Sequence, residues 1–223
     1  MSRVLNFLVE GPTEKEFVTN LIYPYLWENH GISNVRTITI ETSPGFKGGD
    51  VRYQARYKPN IQKLLRGQED LLVTSLIDYY RLRTDFPKYA ESRLLPDVIQ
   101  RVSLIENACF DDVNDTRFIP YIQLHEFEGL LFSHTKGFEE LFPDLPNANK
   151  RELIETVQNF PNPELINERP QFAPSKRLER LIPGYVKPLW GNTIALENGF
   201  DKILAQCPRF KSWIEILIQR MKA

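Results

Sequence analysis

Cysteine is scarce in this chain. Cys109 and Cys207 are the only two, too few and too far apart for a disulfide scaffold or a cysteine metal framework, which points to a reducing compartment. Long apolar runs are missing as well: none approaches the roughly 18 to 20 residues of a membrane span, and no charged-then-apolar leader precedes the first predicted strand. These absences predict a cytoplasmic protein with no membrane contact. Net charge is also lacking, with 28 Lys and Arg against 29 Asp and Glu. Any nucleic-acid binding must therefore come from a local basic face, because the molecule as a whole supplies no attractive field. Repeats and low-complexity tracts are absent. What remains is 223 residues, 42% hydrophobic and 26% charged, enough to bury a sizeable core.

The stretch from Arg3 to Phe17 organises the rest. Val4, Leu5, Phe7, Leu8 and Val9 make a near-continuous apolar run, predicting a strand covered on both faces of a parallel sheet. It ends in Glu10. Gly11 is expected to permit a tight turn, and Thr13 with Glu16 reads as a capping box, starting a helix at Thr13 that runs through Phe17, Leu21 and Leu26. A strand entering a helix this tightly puts Glu10 at the carboxyl edge of the sheet, where open α/β folds place ligands.

The chain then alternates. Val35–Ile40 is a second β-branched strand. In Ser43–Asp50 the paired glycines and Lys47 either approach an anion or form an ordinary turn; it is not a Walker loop. Val51–Arg66 is a basic helix that Pro59 begins or kinks. Leu71–Ile77 is a third central strand, ending in Asp78. If strands one and three are parallel neighbours, Glu10 and Asp78 emerge together. Two carboxylates at one edge repel unless a cation joins them, and Mg²⁺ (or Mn²⁺) is held by one or two carboxylates plus phosphate oxygens. Each acid taken alone could equally be a helix cap or turn former.

A helix from Tyr89 to Phe110 is expected to cross back. Arg117–Leu124 follows as a fourth strand that Pro120 confines to an edge or a bulge. It runs into His125-Glu126-Phe127-Glu128, a third acidic strand end. On a helix Glu126 and Glu128 diverge by about 200°, so at most one faces the site unless the backbone is extended. His125 is a candidate general base or metal ligand, or a hydrogen-bonded structural residue. Beyond Phe138 prolines punctuate short helices. Lys176 and Arg177 at a helix start oppose the dipole, which is explained if they face the carboxylates or a bound phosphate; the alternative is a solvated basic face. Gly184–Trp190 is a second conspicuous block, without an assigned role. Pro208–Met221 closes the core. Residues 1–135 thus form an α/β unit, and 136–223 a helical region packed on it or continuous with it.

Leu8-Val-Glu-Gly-Pro-Thr-Glu-Lys-Glu-Phe17, Ile77-Asp-Tyr-Tyr80, Asp85-Phe-Pro87, Tyr121-Ile-Gln-Leu-His-Glu-Phe-Glu-Gly-Leu-Leu-Phe132 and Ala173-Pro-Ser-Lys-Arg-Leu178 together resemble the successive motifs of a bacterial family, domain of unknown function 4276. That family is related to TOPRIM domains and is often encoded beside an AAA-type ATPase in defence operons. The resemblance runs nearly end to end. It implies a TOPRIM-like mostly parallel sheet of about four strands flanked by helices, with Glu10 as the TOPRIM glutamate and Asp78 as the first aspartate of the Asp-x-Asp pair. Tyr80 stands where the second aspartate belongs, so Asp85, Glu126 or Glu128 would have to complete a metal site.

The expectation is a Mg²⁺-dependent nuclease acting on DNA or RNA, the effector of an ATPase in anti-phage defence and open to oligomerisation. Glu10, Asp78, Glu126 and Glu128 would hold the metal, with Glu10 also relaying a proton and His125 as a catalytic candidate. Lys176, Arg177 and Lys47 would bind phosphate. The competing expectation is a catalytically degraded TOPRIM-like subunit that docks on the ATPase or senses a nucleotide. A weaker third is phosphotransfer or hydrolysis on a small phosphorylated substrate.

Overall fold

Two neighbouring strands buried on both faces carry the architecture. The computed structural model describes residues 3–43, 46–47, 51–67, 70–80, 82–166 and 170–223, with backbone alone for 41–43, 46–47 and 170. Strand β1 (Val4–Val9) leads into helix α1 (Pro12–Phe17), which continues through a π-helical turn (Val18–Ile22) into α2 (Tyr23–His30). Then come β2 (Val35–Thr39), a hairpin of β3 (Glu41–Ser43) and β4 (Phe46–Lys47), a second π-helical turn (Tyr53–Tyr57), α3 (Lys58–Leu65) and β5 (Leu71–Asp78). Each π turn directly precedes a helix whose first turn contains a proline, Pro24 or Pro59. A proline inside a continuing helix lacks its N–H and clashes with the carbonyl four residues back, and a widened turn upstream relieves both problems.

The chain goes on through α4 (Tyr89–Ser92), α5 (Val98–Val113), β6 (Phe118–Ile119) and β7 (Ile122–Gln123). The single helix expected over Tyr89–Phe110 is therefore two. Pro96 denies its predecessor the helical conformation, Asp97 restarts the helix by accepting a hydrogen bond from the Gln100 N–H at 2.8 Å, and Leu94 is left 84% exposed. A 3₁₀ helix (Phe127–Ser133) then leads to α6 (Lys136–Leu141), α7 (Asn147–Asn159), α8 (Pro174–Leu181), α9 (Lys187–Asn198), α10 (Phe200–Gln206) and α11 (Pro208–Lys222).

The main sheet is parallel, in the order β2-β1-β5-β6, with β7 prolonging the β6 edge against β5. The pleat splits the two central strands between two cores. Leu5, Phe7, Val9, Leu72 and Leu76 face one side, where the C-terminal helices add Phe210, Trp213 and Leu217. Val4, Leu8, Val73 and Ile77 face the other, covered by Tyr57, Ile61, Val102 and Ile105. Trp213 stacks on Tyr121 with centroids 4.1 Å apart and donates from Nε1 to Thr74 Oγ1 at 2.9 Å. Truncating a buried aromatic of this kind costs about 3–5 kcal/mol.

Thr74 and Ser75 look misplaced inside an apolar strand until Pro120 is considered. Pro120 divides β6 from β7 and interrupts the ladder. Ser75 Oγ there both donates to the Tyr121 carbonyl and accepts from the Tyr121 N–H, each at 3.0 Å, while Thr74 Oγ1 donates to the Ile119 carbonyl at 2.7 Å. Two hydroxyls thus replace the main-chain bonds the proline removes. Among the described residues no helix is long and apolar enough to cross a membrane.

Candidate active site

The register settles where the acids go. Val9 pairs with Leu76, so β1 and β5 end at the same rim, and the Asp78 N–H lies 3.4 Å from Glu10 Oε2. The turn between β1 and α1 then brings a further acid inward. Gly11 is the N-cap of α1, with an extended φ of −150°, a conformation open to any residue. Its lack of a side chain matters for a different reason than the expected turn: a Cβ there would stand 3.2 Å from Glu14 Oε2. Glu14 is accordingly buried in the first turn of α1. The expected capping box does not form: the helix begins at Pro12 with Gly11 as its N-cap, so Thr13 lies inside the first turn, and Glu16 accepts from Asn192 Nδ2 of α9 at 3.2 Å.

Past β7 the chain bends at Leu124 and His125, is extended again at Glu126 and then coils into the 3₁₀ helix. The two glutamates separate, although only Glu128 lies within the helix. Glu128 turns into the site, its side chain 2% exposed. Glu126 turns to α8, whose N-cap Ala173 has no capping side chain, and accepts from the Ser175 N–H and hydroxyl at 2.9 Å each. The Phe127 N–H donates to Asp78 Oδ1 at 2.9 Å, which fixes that carboxylate and leaves Oδ2 turned to the site.

The centre is a lysine. Lys187, the first residue of α9, places Nζ 3.1 Å from Glu128 Oε2, 3.3 Å from Glu14 Oε1 and 3.5 Å from Asp78 Oδ2. Among the described residues, Glu128 Oε2 has no partner other than this ammonium. Packing of α9 on α1 is close: a Cβ on Gly191 would lie 3.3 Å from the Phe127 ring and 3.7 Å from Thr13, and Asn192 Nδ2 also donates to the Thr13 carbonyl at 3.2 Å.

Among the described residues, four acids and one ammonium leave surplus negative charge in a largely enclosed place, and protonation equilibria shift to match. Burial, then Glu14, pushes Glu10 up to about 7. Burial raises Asp78 well above the usual carboxylate range even though Lys187 opposes it, and raises Glu128 likewise. Burial draws the Lys187 ammonium down, but the combined field of Asp78, Glu128 and Glu14 outweighs it and holds the amine well above its ordinary value. The nearby Tyr185 hydroxyl, buried without a hydrogen bond, is pushed up by burial and then by Glu128.

With this geometry the family can be placed. Residues 9–218 match the family described as Domain of unknown function (DUF4276). The chain belongs to that family. A search of curated proteins finds no match. Two solved structures of the C-terminal region of the Xanthomonas campestris pv. campestris OLD protein, one phased with iodine and one with mercury, are similar to this chain. Their identities are 18% and 17% and their TM-scores 0.48 and 0.49, with 100% of this chain and 97% of theirs covered. Likeness at that level carries no functional inference.

Of the residues singled out in this family member's sequence, Glu10, Asp78 and Glu128 converge. His125 sits behind the rim with a positive φ of 58°; its carbonyl accepts from the Tyr80 N–H at 2.6 Å, and burial, then Arg101, lowers its imidazole to about 4. Asp85 accepts from the Tyr53 N–H at 2.9 Å and holds a loop. Lys176 pairs with Glu179 at 2.5 Å on the surface. Arg177 is buried between Glu152, at 3.5 Å, and the Phe172 ring. Among the described residues, the cation paired with the rim acids comes from α9. Phe46 and Lys47 form β4; the Lys47 side chain and the paired glycines that follow lie outside the described residues.

Glu14 and Lys187 went unrecognised in the sequence. The signals were an acid four residues after Glu10 and a lysine in the Gly184–Trp190 block. The donors suit a hard divalent cation in kind, being carboxylate oxygens with surplus negative charge. Their present spacing is set by the ammonium, and among the described residues no three His, Cys, Asp or Glu side chains already surround a metal-sized gap.

Proposed function

We propose that this chain is a Mg²⁺- or Mn²⁺-dependent hydrolase of phosphodiester bonds in nucleic acid. The observation that supports it is the gathering of four carboxylates, from two central strand ends, a helix start and a 3₁₀ turn, at the carboxyl rim of a parallel sheet, three of them paired with the Lys187 amine. Burying that much like charge destabilises a fold, and a purely structural role has no need of it.

In this reading Asp78 and Glu128 would hold the ion. The chemistry such an ion supplies is polarisation of a phosphoryl oxygen and acidification of a water. Asp78 is kept in orientation by the Phe127 N–H. Glu10, whose Oε2 lies at the same rim against the Asp78 N–H, is placed to accept a proton from an attacking water. Lys187 offers a positive charge to the phosphate, the part first expected of Lys176 or Arg177. Nucleic acid is the substrate, and the ATPase implied by the family resemblance is the partner that presents it.

Tyr80, at the place of the second aspartate, favours a second reading in which the chain is a docking or nucleotide-sensing subunit. One experiment separates them. The purified chain is incubated with plasmid, single-stranded DNA and RNA, with Mg²⁺ or Mn²⁺ and with a chelator. Metal-dependent cutting that disappears in folded Asp78→Asn and Glu10→Gln supports the hydrolase. No cutting in any condition, with or without a co-purified ATPase, leaves the docking reading.

A further inference from the structure

The carboxylate rim has a counter-ion built into the chain, and its location has a consequence. Lys187 Nζ contacts Glu14, Asp78 and Glu128 at 3.3, 3.5 and 3.1 Å. Asp78 Oδ1 is held by the Phe127 N–H, so the oxygen turned to the site is Oδ2, which the ammonium touches. Glu128 Oε2 is buried and faces the same ammonium, with no other partner among the described residues. The two oxygens best placed to hold a divalent ion are thus the two that Lys187 neutralises.

Resting on the hydrolase reading, we propose that Lys187 is an exchangeable internal cation. Its ammonium occupies the ion's place between Asp78 and Glu128, and a divalent metal enters by displacing it. A divalent ion neutralises more of the surplus charge than one ammonium can, which drives the exchange. The lysine stem is flexible, the side chain is 32% exposed, and Lys187 follows an extended Val186 at the very start of α9. Withdrawal therefore needs only side-chain rotation and leaves α9 seated through Gly191 and Asn192. The withdrawn ammonium stays tethered beside the metal, where a phosphate would meet it.

The test is Mn²⁺ binding to the full chain, read by the electron paramagnetic resonance of free Mn²⁺, for wild type, Lys187→Met and Lys187→Arg. Removing the competing charge in Lys187→Met should tighten Mn²⁺ binding by about tenfold or more, whereas Lys187→Arg should not tighten it. Unchanged or weaker binding by folded Lys187→Met overturns the proposal, as does a failure of both wild type and Lys187→Met to take up Mn²⁺. Should Lys187→Met not fold, acetylation rates in the wild type, read peptide by peptide by mass spectrometry, decide the matter. Saturating Mn²⁺ should speed labelling of Lys187 several-fold relative to Lys176, and no change or slower labelling overturns the proposal. Lysine release without cleavage of any nucleic acid would sink the hydrolase reading alone. Cleavage without a response from Lys187 would sink this inference alone.

Discussion

Two buried ionic clusters lie along the same strands and are built on opposite principles. In the first, Arg209 at the start of α11 donates from its guanidinium to Glu106 and to the Ile122 carbonyl, and lies 4.7 Å above the Tyr121 ring. Glu106 also accepts from the Ile122 N–H, and Glu164 accepts from the N–H groups of Arg209 and Phe210 at 2.9 and 3.1 Å. Every acid there has directed donors, so the cluster acts as a clasp holding α11 to the β7 edge. In the second, three of the four acids pair with one ammonium among the described residues, and Glu128 Oε2 has no partner beside it. A satisfied network rigidifies, whereas a deficient one stores an appetite for positive charge. That contrast separates framework from site better than burial does, because both clusters are buried.

The largest effect should come from breaking the clasp. Arg209→Met leaves buried Glu106 without its guanidinium partner, while Glu164 keeps its two backbone donors, and should cost about 3–5 kcal/mol in urea unfolding; a loss below about 1 kcal/mol would refute its structural role. At the rim the prediction reverses. Asp78→Asn keeps an acceptor for the Phe127 N–H, so the melting temperature should not fall, while cleavage should drop about 10²- to 10³-fold. A melting loss as large as that of Arg209→Met would erase the distinction between the clusters.

Glu10 sharpens the comparison through pH. Its folded pKa of about 7 lies above the ordinary 4.5, so the folded state binds this proton more tightly than the unfolded state. Its contribution is full below about 4.5 and is lost as pH rises through 7. At pH 8 the ionised carboxylate should cost about 2 kcal/mol, after discounting for partial exposure. Glu10→Gln should therefore melt higher than wild type at pH 8 and level with it at pH 4, in the absence of metal. A difference independent of pH would remove Glu10 from the strained set. Smaller again, Glu126→Ala should cost about 1–2 kcal/mol by leaving α8 without its cap, with cleavage changed far less than in Asp78→Asn. Smallest of all, Gly11→Ala should shift stability by less than about 0.5 kcal/mol, because the Glu14 carboxylate is a movable side-chain end; weaker Mn²⁺ binding is the measurement that would reveal the displacement.

The fold was largely legible because its central strands announce themselves. Val4–Val9 and Leu71–Ile77 are apolar enough to require cover on both faces, and a polar residue at the end of each could lie only at the rim. Pro120 likewise marked an edge before any pairing was known. Other features were set by partners distant in the chain. Glu16 looked like half of a capping box, but Asn192 claims it. Leu94 continues an apolar helical repeat and is nonetheless exposed, because Pro96 ends the helix before that repeat can reach the core. Lys187 was invisible as a site residue for the same reason: nothing local distinguishes a lysine at a helix start from a solvated one. Only the docking of α9 against α1 turns it inward.

The place of α9 in the chain also bears on how the protein is made. Glu10, Glu14, Asp78 and Glu128 all precede Lys187 in the growing chain, so the acids of the rim are made before the cation that answers them. Until α9 arrives, any rim that forms must be relieved by protons or by borrowed ions. Divalent metal present during translation should therefore speed maturation.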